Sequence, residues 1–184
     1  NLYKISLERF TQLAKKNALF SILVPDNFAT DNGSTGIRHL VIDHYRLKEF
    51  LSFENRNSIF ATIDNRYKFA VLSFNGKEED NPKDIPAFRA FFYRRKLNDL
   101  NNDEIKMAYP FSFLREMEPE RYAMVESRNK EIFNLFRKIR TTFSPLRDTK
   151  LIKFHHDFNK TKDANKFIGI EEATDQDIPL YEGK

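Results

Sequence analysis

The residues able to do chemistry in this chain are few and scattered. His155, His156 and Asp157 are metal-ligand types, but adjacent histidines diverge on a helix or a strand and no partner cluster accompanies them, so the expectation is a surface segment without a metal. Basic residues group at Arg94, Arg95 and Lys96, at Arg137, Lys138 and Arg140, and at Lys150 and Lys153. Such groups suit phosphate contacts, which need only positive charge near a nucleic-acid backbone. Pro25, Asn27 and Phe28 follow an apolar run, Ala18 to Val24. That run reads as a strand of about 18–24 buried on both faces, and the carboxyl end of such a strand is where open α/β sheets place ligands. No glycine-rich phosphate loop, G-x-G cofactor turn or G-x-S-x-G elbow occurs, so no complete catalytic constellation is visible.

The elements that would carry these residues follow from periodicity. Residues 2–16 read as an amphipathic helix with Tyr3, Leu7, Phe10 and Ala14 on one face and Leu13 beside them. A polar loop from Asp26 to Gly36 leads to a short helix at about 36–45, capped by Ser34 or Thr35. Strands are expected at 47–53, 67–74 and 86–93, with a turn at 54–58 and a charged surface loop at 77–84. Residues 104–125 read as irregular or short helical pieces. A helix spans about 129–140, with Ser127 as its N-cap and Ile132, Phe133, Phe136 and Ile139 as its apolar face. The succession implies the end of a mixed α/β sheet over residues 1–96, followed by a helical or extended connector over 97–184.

Composition narrows the classes. With 184 residues the chain can build one sizeable domain, and 40% hydrophobic with 32% charged residues describes a globular protein. Cysteine is absent, which excludes disulfides, thiolate zinc sites and a cysteine nucleophile, and fits a cytoplasmic setting. The net charge of +4 permits a nucleic-acid partner without requiring one, since 27 acids lie among 31 bases. No run approaches the ~18 apolar residues of a membrane span. The start at Asn1 and the end at Lys184 lead us to expect a piece of something longer.

In order and spacing, Leu2-Tyr3, Leu7 to Leu13, Ile22 to Phe28, Arg38 to Leu40, Phe50 to Phe53, Ile59-Phe60 and Tyr67 to Phe74 resemble the N6-adenine DNA methyltransferases of restriction-modification systems, in particular the large fused type IIG enzymes. The matching part is the one that follows the family's Asn-Pro-Pro-aromatic motif. Weaker likeness continues through Asn102 to Ile105, Glu118 to Glu120 and Arg128 to Ile132. It ends at Pro179 to Lys184, like the segment at which the family's target-recognition region begins. The resemblance implies the C-terminal half of a Rossmann-like methyltransferase sheet, double-stranded DNA as partner, and S-adenosylmethionine as the parent polypeptide's cofactor. It also implies that Phe60, with Pro25 and Phe28, lines the pocket for a flipped adenine, because an adenine amino group is out of reach inside a duplex. Arg38 joins the basic groups as a DNA contact. The family's cofactor glycine motif and its Asn-Pro-Pro-aromatic motif are both missing here, so the chain alone is expected to be inactive. The alternative is a non-catalytic DNA-binding or assembly module of a restriction-type protein.

Overall fold

The computed structural model describes residues 2–16, 18–76, 86–148, 159 and 161–178. Two compact units divide at Phe143/Ser144, so the first extends well past the boundary expected at 96. The reason is a strand that the sequence hid, described below. The second unit, from Ser144 onward, contains short 3-10 turns at Leu146–Asp148 and Ala164–Lys166.

In the first unit, α1 (Leu2–Leu13) precedes β1 (Leu19–Pro25). Two 3-10 turns lead into α2 (Thr35–His39), which widens into a π turn over Leu40–His44. β2 (Arg46–Glu54), β3 (Lys68–Asn75) and β4 (Ala87–Arg94) follow. β5 (Met107–Pro110) then runs directly into α3 (Phe111–Met117), and α4 (Lys130–Thr142) closes the unit.

Among the described residues the five strands form one mixed sheet in the order β1-β3-β2-β4-β5. β3 lies antiparallel to both β1 and β2, β4 lies parallel to β2, and β5 returns antiparallel to β4. β1, β2 and β4 therefore point the same way, and their carboxyl ends share one edge. The connection from β1 through α2 to β2 is a parallel crossover that leaves a one-strand gap. β3 fills the gap and pairs with β1 on one side and β2 on the other.

Strand alternation sorts the core into two faces. Phe50, Leu72, Phe74, Ala90, Phe92 and Tyr109 meet Leu7, Val41, Phe113, Leu114 and Phe133 of the helices. On the other face Leu51, Phe53 and Phe91 form a smaller cluster with Phe69 and Val71. Gly76 closes β3 where a Cβ would stand 2.2 Å from the Lys15 carbonyl oxygen, so only glycine fits that approach.

Three expectations need correction. β1 is not buried on both faces: among the described residues it is the edge strand, and of its residues Val24 alone is buried. The face α1 presents is Leu7 and Thr11 with Tyr3, while Phe10 and Leu13 stay exposed, because α1 packs across the rim of the sheet rather than over its middle. The N-cap of α4 is Asn129, whose side chain accepts from Ile132 N at 2.9 Å; the Ser127 hydroxyl donates instead to the Asn129 carbonyl. Asn129→Ala should therefore cost about 1 kcal/mol in chemical denaturation, and Ser127→Ala should leave the helix start intact.

Candidate functional site at the carboxyl edge of the sheet

The shared edge gathers the ends of three parallel strands, which is the position from which open α/β sheets present ligand-binding residues. Two groupings occupy it. One is polar and lies on the helix-covered face; the other is aromatic and lies on the opposite face.

The polar grouping centres on Asp26, the first residue after β1. It is 3% exposed, and its Oδ2 takes the Lys68 ammonium at 3.3 Å. Lys68 also reaches Glu126 Oε2 at 3.8 Å and stands over the Tyr93 ring at 4.9 Å. The Tyr93 hydroxyl donates to the same Glu126 carboxylate in a short hydrogen bond, and Arg128 stands over the ring at 5.1 Å. Asp26 Oδ1 and the Ser52 hydroxyl are both buried without a hydrogen-bond partner.

Burial pushes the Asp26 carboxyl above its ordinary value, and the Glu126 carboxylate adds to the rise. The Ser52 hydroxyl and the Lys68 ammonium pull the other way, although no well-formed hydrogen bond joins Ser52 to the carboxyl. Tyr93 is likewise raised, first by burial and then by its bond to Glu126. Burial thus holds the carboxyl and the phenol toward their neutral forms, in which each carries a hydroxyl that can donate a hydrogen bond.

Backbone geometry at Tyr93 is unusual. Between the pairs Leu51–Phe91 and Phe53–Arg94, β4 spends one residue more than β2, a bulge. Tyr93 sits in it with φ of 61°, in the left-handed region. Bulges re-aim side chains beside functional sites, and a bulky residue in this region persists only where its surroundings enforce it.

The aromatic grouping is a ladder. Phe91 meets Phe53 edge-on at 5.1 Å, Phe53 stacks on Phe69 at 5.4 Å, and Phe60 meets Phe69 edge-on at 4.9 Å. Phe69 is the register partner of Pro25, so Phe60 stands at the carboxyl end of β1, half-buried. Pro25 is exposed beside it.

The remaining residues singled out by sequence divide. Phe28 is fully buried and stacks on Phe50 at 6.1 Å; it is a core residue and not a pocket wall, because the 3-10 turn after Pro25 rotates it inward. Arg38 is 0% exposed and does not face solvent, so it is not placed to meet DNA. Its Nε donates to the Arg121 carbonyl, and its Nη1 to those of Phe28 and Asp31, each at 2.8 Å. It ties the loop after β1 to the segment before α4. Arg95 donates to Glu54 at 2.6 Å, and Arg94 to the Arg128 carbonyl at 3.5 Å; Lys96 is exposed next to them. Arg137 and Lys138 are exposed on α4, while Arg140 is half-buried and donates to the Glu116 carbonyl at 3.4 Å. Lys150, Lys153 and the His155-His156-Asp157 triplet lie outside the described residues, and among the described residues no group of three metal-ligating side chains converges.

Sequence reasoning missed Asp26, Ser52, Lys68, Tyr93 and Glu126 as a group, and Asn55, whose side chain pins the loop carrying Phe60. Asp26 lay inside the strand-end motif and was readable as its only acid. No helix among the described residues is long and apolar enough to cross a membrane. Neither a comparison with protein-family models nor one with curated proteins matched this chain.

Proposed function

We propose that this chain is the target-base side of a site-specific N6-adenine DNA methyltransferase of the restriction-modification kind. In this reading it completes the methyltransferase sheet, offers Phe60 as a wall for the flipped adenine, and carries DNA contacts toward a recognition domain. The observation that carries the reading is the place of Phe60: half-buried on Phe69, at the edge where β1, β2 and β4 end. The order of elements also supports it, since helix, strand, Arg-bearing helix, strand, Ile59-Phe60 and returning strand is the succession the resemblance implies. β1 adds a third support. Among the described residues its outer side is unpaired, and Leu19 and Leu23 of the strand are 66% and 50% exposed. An uncharged apolar edge of this length invites a further strand, as a sheet continuing into a catalytic half would supply.

S-adenosylmethionine would bring the methyl group in the parent polypeptide. The residues of this chain do not fit a site for it, since both the glycine motif and the Asn-Pro-Pro-aromatic motif are missing from the sequence. What the chain supplies is stacking area and electrostatics. Lys96, Arg137 and Lys138 are exposed members of the basic groups and the ones placed to meet phosphate, while Arg95, also exposed, is paired with Glu54.

Phe60→Ala in the parent polypeptide tests the reading. Stacking on an aromatic ring contributes ~1–3 kcal/mol per base, so methylation should fall between about 5- and 150-fold. S-adenosylmethionine affinity should stay within about twofold of the wild type, because no cofactor contact is lost. Unchanged methylation would remove Phe60 from the pocket.

A second reading, a DNA-binding or assembly module without methyl transfer, is favoured by one feature. Ile132, Leu135, Phe136 and Ile139 of α4 form a stripe left exposed, on the helix that also carries Arg137 and Lys138. An apolar stripe beside basic residues suits a partner helix or a protein–DNA assembly.

A further inference from the structure

Asn55 is the first residue after β2 and is 0% exposed. Its side chain offers two N–H donors and one acceptor, and the loop that follows uses all of them. Nδ2 donates to the carbonyls of Ile63 at 2.9 Å and Phe60 at 3.0 Å, with that of Asp64 at 3.4 Å; Oδ1 accepts from Phe60 N at 2.8 Å. The partners settle the orientation of the amide, since the Phe60 N–H needs an acceptor and the carbonyls need a donor. The main chain of the same residue reinforces the hub. Ser58 N donates to the Asn55 carbonyl at 2.8 Å, and Asn55 N donates to the Tyr67 carbonyl at 2.9 Å. Ser58 takes φ of 51° to make the turn.

One buried side chain thus holds both the N–H and the carbonyl of Phe60. With its backbone clamped, the Phe60 ring cannot slide along the sheet edge, and it seats on Phe69. No other residue type meets the demand. Aspartate keeps only the acceptor, glutamine is one methylene too long, and leucine leaves the loop's polar groups unpaired.

We propose that Asn55 is the positioning residue for Phe60, fixing the height at which the ring stands on the carboxyl edge so that a nucleobase can stack on it. The proposal rests on the reading of Phe60 as a base wall.

The chain has no tryptophan, so Phe60→Trp creates a single fluorescent reporter at the position in question. Adenosine is titrated against Phe60→Trp alone and against Phe60→Trp with Asn55→Asp, and emission anisotropy and far-ultraviolet circular dichroism are recorded for both. The expected result is quenching by adenosine whose half-saturating concentration rises about tenfold with Asn55→Asp, together with a drop in anisotropy, in samples whose circular dichroism agrees. A lower melting temperature with unchanged half-saturation and unchanged anisotropy would overturn the proposal, because it would make Asn55 structural alone. If adenosine quenches neither protein, the base-wall reading fails, and anisotropy decides Asn55 by itself: a drop sustains positioning, equality overturns it. Should Asn55→Asp fail to fold, Asn55→Ser is read by the same two quantities.

Discussion

Arg38→Ala should lower the stability of the first unit by about 3–5 kcal/mol, a large share of the ~5–15 kcal/mol that a domain possesses. The magnitude follows from what the guanidinium does. It sits at 0% exposure and satisfies three backbone carbonyls, those of Phe28, Asp31 and Arg121, at 2.8 Å each. Removing it takes this donor from the Phe28 and Arg121 carbonyls, leaves that of Asp31 with the Ser34 N–H, and cuts a tie between two segments otherwise joined by Met124 N to the Ala29 carbonyl at 2.9 Å, Arg121 to Asn32 at 2.8 Å and the His39–Tyr122 stack. Lysine cannot substitute, because one ammonium on a flexible stem does not reproduce a planar fork. Arg38→Lys should therefore recover less than half the loss. Urea titration checks this: the midpoint should fall by roughly 1.5–2.5 M with the slope retained. A stable Arg38→Ala variant with weakened DNA affinity would instead return Arg38 to the role of a phosphate contact.

Asp26→Asn should act in the opposite sense and stabilise the protein at neutral pH. The Asp26 carboxyl is buried, its Oδ1 lacks a partner, and its pKa is raised in the folded state by burial. The folded state then holds the proton more tightly than the unfolded chain does. Stability from this group is fully present below the ordinary carboxylate value of 3.8, and is lost as pH rises through the higher folded value. The groups facing it set the sign of the remainder: Lys68 opposes the loss, and Glu126 deepens it, with the Tyr93 hydroxyl already committed to Glu126. Asparagine is neutral throughout, so the variant should be the more stable near pH 7. The gain should shrink as the pH falls toward 3.8, where the wild-type carboxyl is protonated too. Thermal unfolding from pH 3 to 8 reads both curves, and parallel curves would contradict the assignment. A buried charge that costs stability marks a candidate for function, and Asp26 with its neighbours Lys68 and Tyr93 is the polar half of the candidate site.

The fold was legible where period and punctuation agree. Tyr67 to Phe74 alternates, is rich in aromatic and β-branched residues, and ends at Asn75-Gly76; the strand is Lys68–Asn75. The class, an α/β fold with a mixed sheet, followed from such segments. β5 did not, because Met107–Pro110 is four residues long, ends in proline and follows an Asn- and Asp-rich turn, so only its pairing with β4 identifies it. The burial of β1 was misread for another reason: an apolar run looks the same whether its outer neighbour is present or not.

Of the candidate site, the sequence singled out Phe60, through a resemblance in order and spacing, and none of the polar group. Arg38 was misplaced because sequence shows a charge and not the carbonyls around it. Asn55 was missed because its partners are backbone atoms of Phe60, Ile63 and Asp64, which carry no signature. Asp26, Lys68, Tyr93 and Glu126 come from three strand ends and a distant segment, and only the sheet order assembles them.

The proposed service in adenine methyl transfer is tested by incubating the polypeptide that carries this chain with DNA and S-adenosylmethionine bearing a labelled methyl group, and then analysing the hydrolysed bases. Label is expected in N6-methyladenine, confined to one sequence context and reduced by Phe60→Ala. Tight DNA binding with no labelled adenine would contradict it and leave the binding or assembly module.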